Sequence, residues 1–580
     1  MNTLATRSVM GHKPGLFLLF FTEMWERFSY YGMRALLVLF LVSEHAAGGW
    51  AWTRDQALSL YGIYTGLVYF SPILGGLAAD AILGSRRAVI LGAFLMTCGH
   101  ASMALESTAA FYTGLTLLIL GNGFFKPNIS SMVGQLYASE EDRKDSAYTI
   151  FYMGINAGAF LGILLCGYLG EKISWSYGFG LAGIFMCLGM IMFWLGQSIL
   201  GEKVGNIENN KILSSTSAGD TEDASVVRDR LIVIAVLSFF TIFFWMAFEQ
   251  AGGSMTIFAK DYTGRVLQGS HATMFTWANT ALTIGPLIIV TYVLLRLVAV
   301  TYTQIAFSNI SIIFSFVLIW ACALWMLQKE WKMRAYEVSF ASLKVDADGT
   351  TAMRTIQSDL SLTAGDEILL VDIESKQGDG KLRIIAPEQA ESYTTEFKAT
   401  VVEEKSNQIE VPASWFGILN SFFILTCAPF LGRIWASRFN PTAPVKFGIG
   451  LVLLGLGFGI LVMGSAEIGE GQRTAAVSMW FLILAYLLHT LGELCVSPVG
   501  LSYVSKLAPA KMAGVMFGVW FLCTAIANYL AGATGSYIDA ISERYGLTTF
   551  FLIYTCIPIA AGLVMIAMNR MLIRKMHGIS

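Results

Sequence analysis

Long apolar runs separated by short polar connections dominate the chain, and run length selects the element. About 20 apolar residues suit a membrane-spanning helix, whereas buried strands are far shorter. Such runs lie near 15–42, 56–82, 86–105, 111–137, 147–169 and 176–198, then near 231–259, 272–296, 302–327, 413–436, 445–465, 475–505, 512–535 and 547–573. These fourteen runs predict an all-α polytopic membrane protein. Two stretches depart from the pattern. Residues 199–230, with a Ser/Thr/Asp-rich core from Ser214 to Ser225, read as a flexible linker. Residues 336–411 carry β-type runs at Ile368–Ile373, Lys381–Ile385 and Glu396–Val402, punctuated by the turn signals Asp348-Gly349, Ala364-Gly365-Asp366 and Gly378-Asp379-Gly380, and read as a small β-rich module.

Composition narrows the function classes. Only 13% of the 580 residues are charged and 55% are hydrophobic, against roughly 25% charged in soluble domains, which excludes a soluble globule. The net charge of -2 offers no basic excess for nucleic acid. The 8 cysteines, all inside apolar stretches and without CxxC or Cys/His ligand spacing, read as packing residues, so no metal or other cofactor is expected. The 6 histidines form no HExxH pattern, and GxSxG and Walker-type loops are absent, which speaks against a membrane-embedded hydrolase and against ATP-driven pumping. A polar start followed by a long, uncut apolar run predicts that no signal peptide is cleaved.

Basic residues set the orientation. Arg86, Arg87, Arg143, Lys144, Arg433, Arg438, Lys446, Lys506, Lys511, Arg570, Arg574 and Lys575 fall in alternate connections, which the positive-inside rule makes cytoplasmic. Both termini are then cytoplasmic, and the β-rich module lies outside. The opposite short loops carry little more than Arg54, Lys172, Arg473 and Arg544.

The chemistry lies where charge meets apolar helix. Glu23, Glu26, Arg27, Arg34, Lys126, Glu249 and Glu493 all sit in or beside predicted spans, each costing about 2.5 to 3.5 kcal/mol if left unpaired in the bilayer. Most must therefore face a partner or a polar cavity. On the first span Glu23, Glu26, Arg27, Tyr30, Tyr31 and Arg34 share one arc of about 140°, more than an isolated i,i+4 Glu23–Arg27 pair requires. Arginine offers a planar fork for a carboxylate.

These residues also carry a family likeness. Glu23-Met24-Trp25-Glu26-Arg27-Phe28-Ser29-Tyr30-Tyr31-Gly32 resembles the ExxERFxYYG motif of the proton-dependent oligopeptide transporters, within the major facilitator superfamily. Gly121 to Ser130 resembles that family's fourth-helix signature, Phe244 to Gln250 its seventh-helix segment and Gly492 to Gly500 its tenth, while Asp80, Gly84, Arg86 and Arg87 match the superfamily's loop pattern. The resemblance implies a major facilitator fold with 12 core helices in two six-helix halves. Val411 to Asn420 resembles the start of the eighth core helix, although two spans already follow Glu249. Those two spans are thus an insertion, at a place unusual for bacterial relatives. The expected organisation is a six-helix bundle over 1–198, a cytoplasmic linker over 199–230, the seventh core helix and its loop over 231–271, two inserted helices over 272–335, an external β-rich insert over 336–411 and core helices 8 to 12 over 412–580. Apart from Arg296 the inserted spans hold no acidic or basic residue, so they are expected on the periphery.

The resemblance further implies a symporter that moves di- and tripeptides with protons across a bacterial inner membrane, in contact with membrane lipid. Carried over by motif position, Arg27, Arg34 and Lys126 face a peptide carboxylate, with Tyr31, Tyr69 and Asn156 adding hydrogen bonds. Glu493 faces the peptide amine, with Asn420, Ser497, Trp245 and Trp520 shaping the pocket. Glu23, Glu26, Glu249 and Glu493, with Arg27 and Lys126, are the proton-coupling candidates, and Lys126 is expected to pair with Glu493 in one state. A drug or nitrate carrier on the same fold is the rival within transport, and the intact ExxER stretch weighs against it. The β-rich module could in addition bind an external partner.

Overall fold

The computed structural model describes residues 8–206, 223–341, 351–373, 381–385, 396–405, 407–469, 472–509 and 512–579. Fourteen long helices run through these residues: α1 (Pro14–Val42), α2 (Arg54–Ala78), α3 (Ser85–Met103), α4 (Thr108–Leu136), α5 (Glu141–Lys172), α6 (Trp175–Gly196), α7 (Ala224–Phe248), α8 (Gly269–Thr301), α9 (Ala306–Lys332), α10 (Ile418–Trp435), α11 (Ala443–Ser465), α12 (Met479–Leu507), α13 (Ala513–Gly535) and α14 (Leu547–Ala567). Twelve spans are long and apolar enough to cross a membrane. The other two helices are α1, whose charges are buried inside the protein, and α3, which packs along α4.

Helix boundaries moved where polar residues found partners. The linker expected through residue 230 ends earlier: Asp223 accepts the Ser225 amide at 3.0 Å and starts α7 at Ala224. The part of that linker at 207–222 lies outside the described residues, as do the turn signals at 348–349 and 378–380. Helix α9 runs to Lys332, past the expected end at 327, because Glu330 is buried and accepts a 2.7 Å hydrogen bond from Asn279 on α8. The inserted pair thus contains a carboxylate that a count of apolar residues did not include.

Helix α1 is the axis of the first half. It is buried on nearly every side, and α5 approaches it so closely that Cβ atoms at Gly158 and Gly162 would overlap the carbonyls of Met24 and Phe28. A small-residue ridge of this kind lets two backbones touch where lipid supplies no hydrophobic drive. The inserted α9 packs on the same bundle: Phe316 lies 5.6 Å from both Phe21 and Trp25, and Ser308 donates to the Met192 carbonyl at 2.7 Å. Its outer face, with Phe307, Ile310 and Phe314, is exposed and apolar, as lipid contact requires.

The small sheet stands at the end of the bundle opposite both described termini. Strands β1 (Val266–Gln268) and β7 (Gln408–Glu410) pair as a ribbon, Val266 opposite Glu410, so the chain leaves the core and returns to it at one place. This explains how two helices and a sheet are accommodated without displacing a core helix. Between them β2 (Arg334–Ala341), β3 (Thr351–Ser358), β4 (Glu367–Asp372), β5 (Leu382–Ile385) and β6 (Glu396–Glu404) form an antiparallel sheet in the order β3-β2-β6-β4-β5. Val338, Phe340, Leu370, Phe397 and Val401 make its core.

The two halves touch at the sheet end and part at the other. Gly62 and Gly66 on α2 meet Gly532, Tyr529 and Ala525 on α13, whereas Gly514 and Gly518, nearer the other end of α13, face open space. A Cβ at Gly532 would overlap the Gly62 backbone. Gly532→Val is therefore expected to destabilise this closure by about 1 to 3 kcal/mol. Thermal unfolding in detergent checks it: the melting temperature falls, whereas valine at Gly518 leaves it within about a degree.

Candidate functional site

The polar residues of α1 divide into two groups along the helix. Deep in the first bundle, Arg27 Nε lies 2.8 Å from Glu23 Oε1 and 2.6 Å from Glu26 Oε2, and Asn122 Nδ2 donates to Glu26 Oε1 at 3.1 Å. All three charged side chains are at most 5% exposed. Two carboxylates against one guanidinium leave a negative excess, and Lys126 lies on neighbouring α4 with its Nζ 4.1 Å from the centre of the Tyr69 ring. Arg27 Nη2 and Glu23 Oε2 have no hydrogen-bond partner, so the cluster retains capacity to bind or to exchange a proton.

Two turns further along, Arg34 reaches the other half. Its Nη2 donates to the Glu249 carboxylate, and its Nε and Nη2 donate to the Tyr61 hydroxyl at 3.0 and 2.7 Å. Tyr61 in turn donates to Glu249 Oε2 at 3.2 Å. Glu249 lies immediately beyond α7, where the chain tightens into a 3-10 turn. This buried clasp joins α1 and α2 to α7.

A cavity lies beside the clasp, lined by Tyr31, Arg34 and Tyr69 from the first half and by Trp245, Asn420 and Glu493 from the second. Asn420 Nδ2 donates to Glu493 Oε2 at 2.8 Å and to Thr490 Oγ1 at 3.2 Å. Positive charge therefore stands on one wall and a carboxylate on the other. The remaining sequence-derived residues lie off this wall: Arg27 and Lys126 belong to the deeper cluster, Asn156 donates to the Tyr152 carbonyl of its own helix at 3.0 Å, Trp520 packs against Gly500, and the Ser497 hydroxyl has no partner. Lys126 and Glu493 form no ion pair in this conformation: the first lies over Tyr69, the second is held by Asn420.

Sequence reading missed Tyr61, which appeared only as one aromatic in an apolar run, and it missed the role of basic residues in the sparse loops. Arg54 lies 2.7 Å from Asp261 and 2.8 Å from Asp539. Lys172 lies 3.0 Å from Glu410, which also receives Arg265 at 3.2 Å and Lys381. Glu171 accepts the amides of Ala413 and Ser414, each at 2.8 Å, at the entry to α10. These contacts seal the halves at the sheet end. Burial alone would raise the carboxyl pKa of Glu410, but Lys172, Lys381 and Arg265 outweigh it and hold the group well below the usual range. Its contribution to stability is thus full above the ordinary carboxyl pKa of about 4.3 and is lost only as pH falls through the lower folded value.

This arrangement, two bundles closed at one end over a cavity with charges on both walls, is a transporter geometry. A sequence model of the POT family matches residues 86–218 and 385–553. The chain belongs to the POT family. The stretch between the matched blocks contains α7, the inserted helices and most of the sheet. Among relatives, the "Uncharacterized transporter YclF" of Bacillus subtilis (strain 168) is 32% identical, with 100% of this chain and 98% of the relative covered. The "Peptide transporter YePEPT" of Yersinia enterocolitica subsp. palearctica is 30% identical over 93% of this chain and 90% of its own length. Among solved structures, the crystal structure of a peptide transporter POT in complex with sulfate superimposes with a TM-score of 0.67 at 25% identity, covering 99% of this chain and 97% of that one. As a POT-family member the chain is a multi-pass membrane transporter with the major facilitator fold and two added helices, and not an enzyme.

Proposed function

We propose that the protein imports di- and tripeptides together with protons by alternating access. The observation that carries this reading is the opposition of Arg34 and Tyr31 on one cavity wall to Glu493, held by Asn420, on the other. A zwitterionic peptide is a dipole whatever its side chains, so charge at its two ends gives affinity while the middle stays permissive. Arg34, with Tyr31 and Tyr69, serves the carboxylate end, and Glu493, with Asn420 and Trp245, serves the amine end; Arg27, Lys126, Asn156, Ser497 and Trp520, candidates by motif position, stand off the wall in this conformation. Relatives named as di-/tripeptide and peptide transporters support the substrate class.

Proton coupling requires a carboxyl group whose partner changes between states, because a group with equal surroundings in both shifts nothing. Glu249 meets this condition, since its clasp with Arg34 spans the halves. Glu493 meets it if Lys126 replaces Asn420 in the other state. Glu23 and Glu26 share Arg27 and supply a reservoir beside Lys126. With both termini cytoplasmic and the sheet outside, the conformation described opens toward the cytoplasm of a bacterial cell, with lipid around the bundle at the inner membrane.

Binding tests the assignment of Glu493. In purified protein, Glu493→Gln is expected to weaken dialanine at least tenfold, about 1.4 kcal/mol, at matched folding. Unchanged affinity would make Glu493 a structural residue.

A further inference from the structure

The two inserted helices and the sheet are joined to one half by chain and to the other by contact. Their chain leaves the second half beside α12, where the Val477 amide donates to the Tyr262 carbonyl and the Gly264 amide to the Val477 carbonyl, each at 2.8 Å. It returns at the same place along the β1–β7 ribbon, whose next residue, Val411, donates to the Arg265 carbonyl at 2.9 Å before α10 begins. The body between these crossings lies on the first half. Ser311 of α9 donates to the Leu188 carbonyl of α6 at 3.3 Å, Phe316 meets Phe21 and Trp25 of α1, and the Trp325 and Tyr168 ring centres, on α9 and α5, are 6.2 Å apart. In the sheet, Val371 and Ile385 pack with Ala47 in the connection from α1 to α2.

Where α10 begins, the insertion touches the second half again. Trp415, in the 3-10 turn Ala413–Gly417, donates its Nε1 to the Leu164 carbonyl of α5 at 3.0 Å and is buried. Its ring stacks on Tyr168 of α5, with centres 6.3 Å and planes 29° apart, and on Phe275 of α8, at 6.2 Å and 27°. The first of these rings belongs to the first half and the second to the insertion. The same seam is tight along its backbone, since a Cβ at Gly167 of α5 would overlap the Ser414 hydroxyl.

We infer that the insertion is a brace on the sheet-end closure: it moves with the first half, flexes at the ribbon, and through Phe275 holds Trp415 and the start of α10 in the closed position. The inference rests on the alternating-access reading. When the sheet end opens, the start of α10 parts from the first half, and two kinds of contact then behave differently. Contacts between the insertion and the first half persist in both states, so they add stability without favouring either. The Phe275–Trp415 stack is made only in the closed state and biases the ratio toward it. An aromatic pair of this geometry shifts such a ratio by about three- to tenfold. The ribbon suits a hinge because it is only three residue pairs long.

The full-length protein tests the inference through the rate at which a membrane-impermeant thiol reagent, added from the sheet side, labels Ala35→Cys in the cavity between the halves. Phe275→Ala, and to a lesser degree Phe275→Leu, is expected to speed labelling by about three- to tenfold, whereas Phe275→Tyr keeps the ring and the parent rate. Phe316→Leu loosens only the packing of the insertion on the first half, so it should lower the melting temperature and leave the labelling rate within about twofold. Unchanged labelling in folded Phe275→Ala and Phe275→Leu overturns the brace, and alternating access stands as long as dialanine is still taken up. Equal acceleration by Phe316→Leu also overturns it, because the insertion then does not move with the first half. A protein that takes up no dialanine, with labelling unchanged in Glu249→Gln as well, overturns both readings.

Discussion

Arg27→Lys is expected to cut proton-driven dipeptide uptake at least tenfold although the charge is kept and the protein still reaches the membrane. Arg27 sits between two buried carboxylates, with Glu23 at 2.8 Å and Glu26 at 2.6 Å on the same Nε. A guanidinium meets them with a planar array of donors and still keeps Nη2 unpartnered. An ammonium is a compact point that satisfies one carboxylate well and strands the other, and an uncompensated buried charge costs about 3 to 5 kcal/mol. The close α1–α5 contact, to which Arg27 offers its Cβ opposite Gly158, is kept by lysine. Uptake normalised to protein in the membrane checks this: near-normal rates in the lysine variant would reduce Arg27 to a counter-ion.

The second large effect concerns the clasp. Glu249→Gln removes the charge that Arg34 holds across the halves, and truncating one side of a buried ion pair again carries about 3 to 5 kcal/mol. In a two-state transporter a change of that size moves the conformational ratio by more than a hundredfold. The variant is expected to open at the sheet end and to lose net uptake. A cysteine at the cavity-lining Ala35 provides the measurement. A membrane-impermeant thiol reagent added from the sheet side should label Ala35→Cys at least tenfold faster when Glu249 is Gln. An unchanged rate would mean that Arg54 with Asp261 and Asp539, and Glu171 at the start of α10, close that end without help from Glu249.

What was legible in the sequence follows from what a one-dimensional pattern can encode. Run length located all fourteen helices, because crossing a bilayer demands a minimum of apolar residues and leaves little freedom. Helical periodicity placed Glu23, Arg27 and Arg34 on one arc of α1, and in the structure their side chains are at most 11% exposed. Periodicity could not say that the arc is divided, with Arg27 turned to its own carboxylates and Arg34 to Glu249, because the division depends on where α2, α4 and α7 cross α1. Tyr61 was invisible for the same reason: its partners, Arg34 and Glu249, come from two other helices.

The sheet-end contacts failed to show for a different reason. Arg54 and Lys172 entered the orientation argument as exceptions to a charge count, a statistic that ignores pairing. In the fold they are spokes of salt bridges to Asp261, Asp539 and Glu410, whose positions are fixed by the β1–β7 ribbon and by the short helix Ile538–Tyr545 beyond α13. Glu330 was passed over because it sits just past an apolar run. Only the packing of α8 on α9 brings Asn279 to it and draws the last turn into the helix.

The central claim is that peptide movement is driven by protons through carboxylates that change partners. Uptake of labelled dialanine into proteoliposomes, with and without an inward proton gradient, tests it most directly. Accumulation above equilibrium under an acid-outside gradient, abolished by a protonophore, is the predicted result. Accumulation that is indifferent to the gradient, or an absence of dialanine uptake by folded protein, would contradict it.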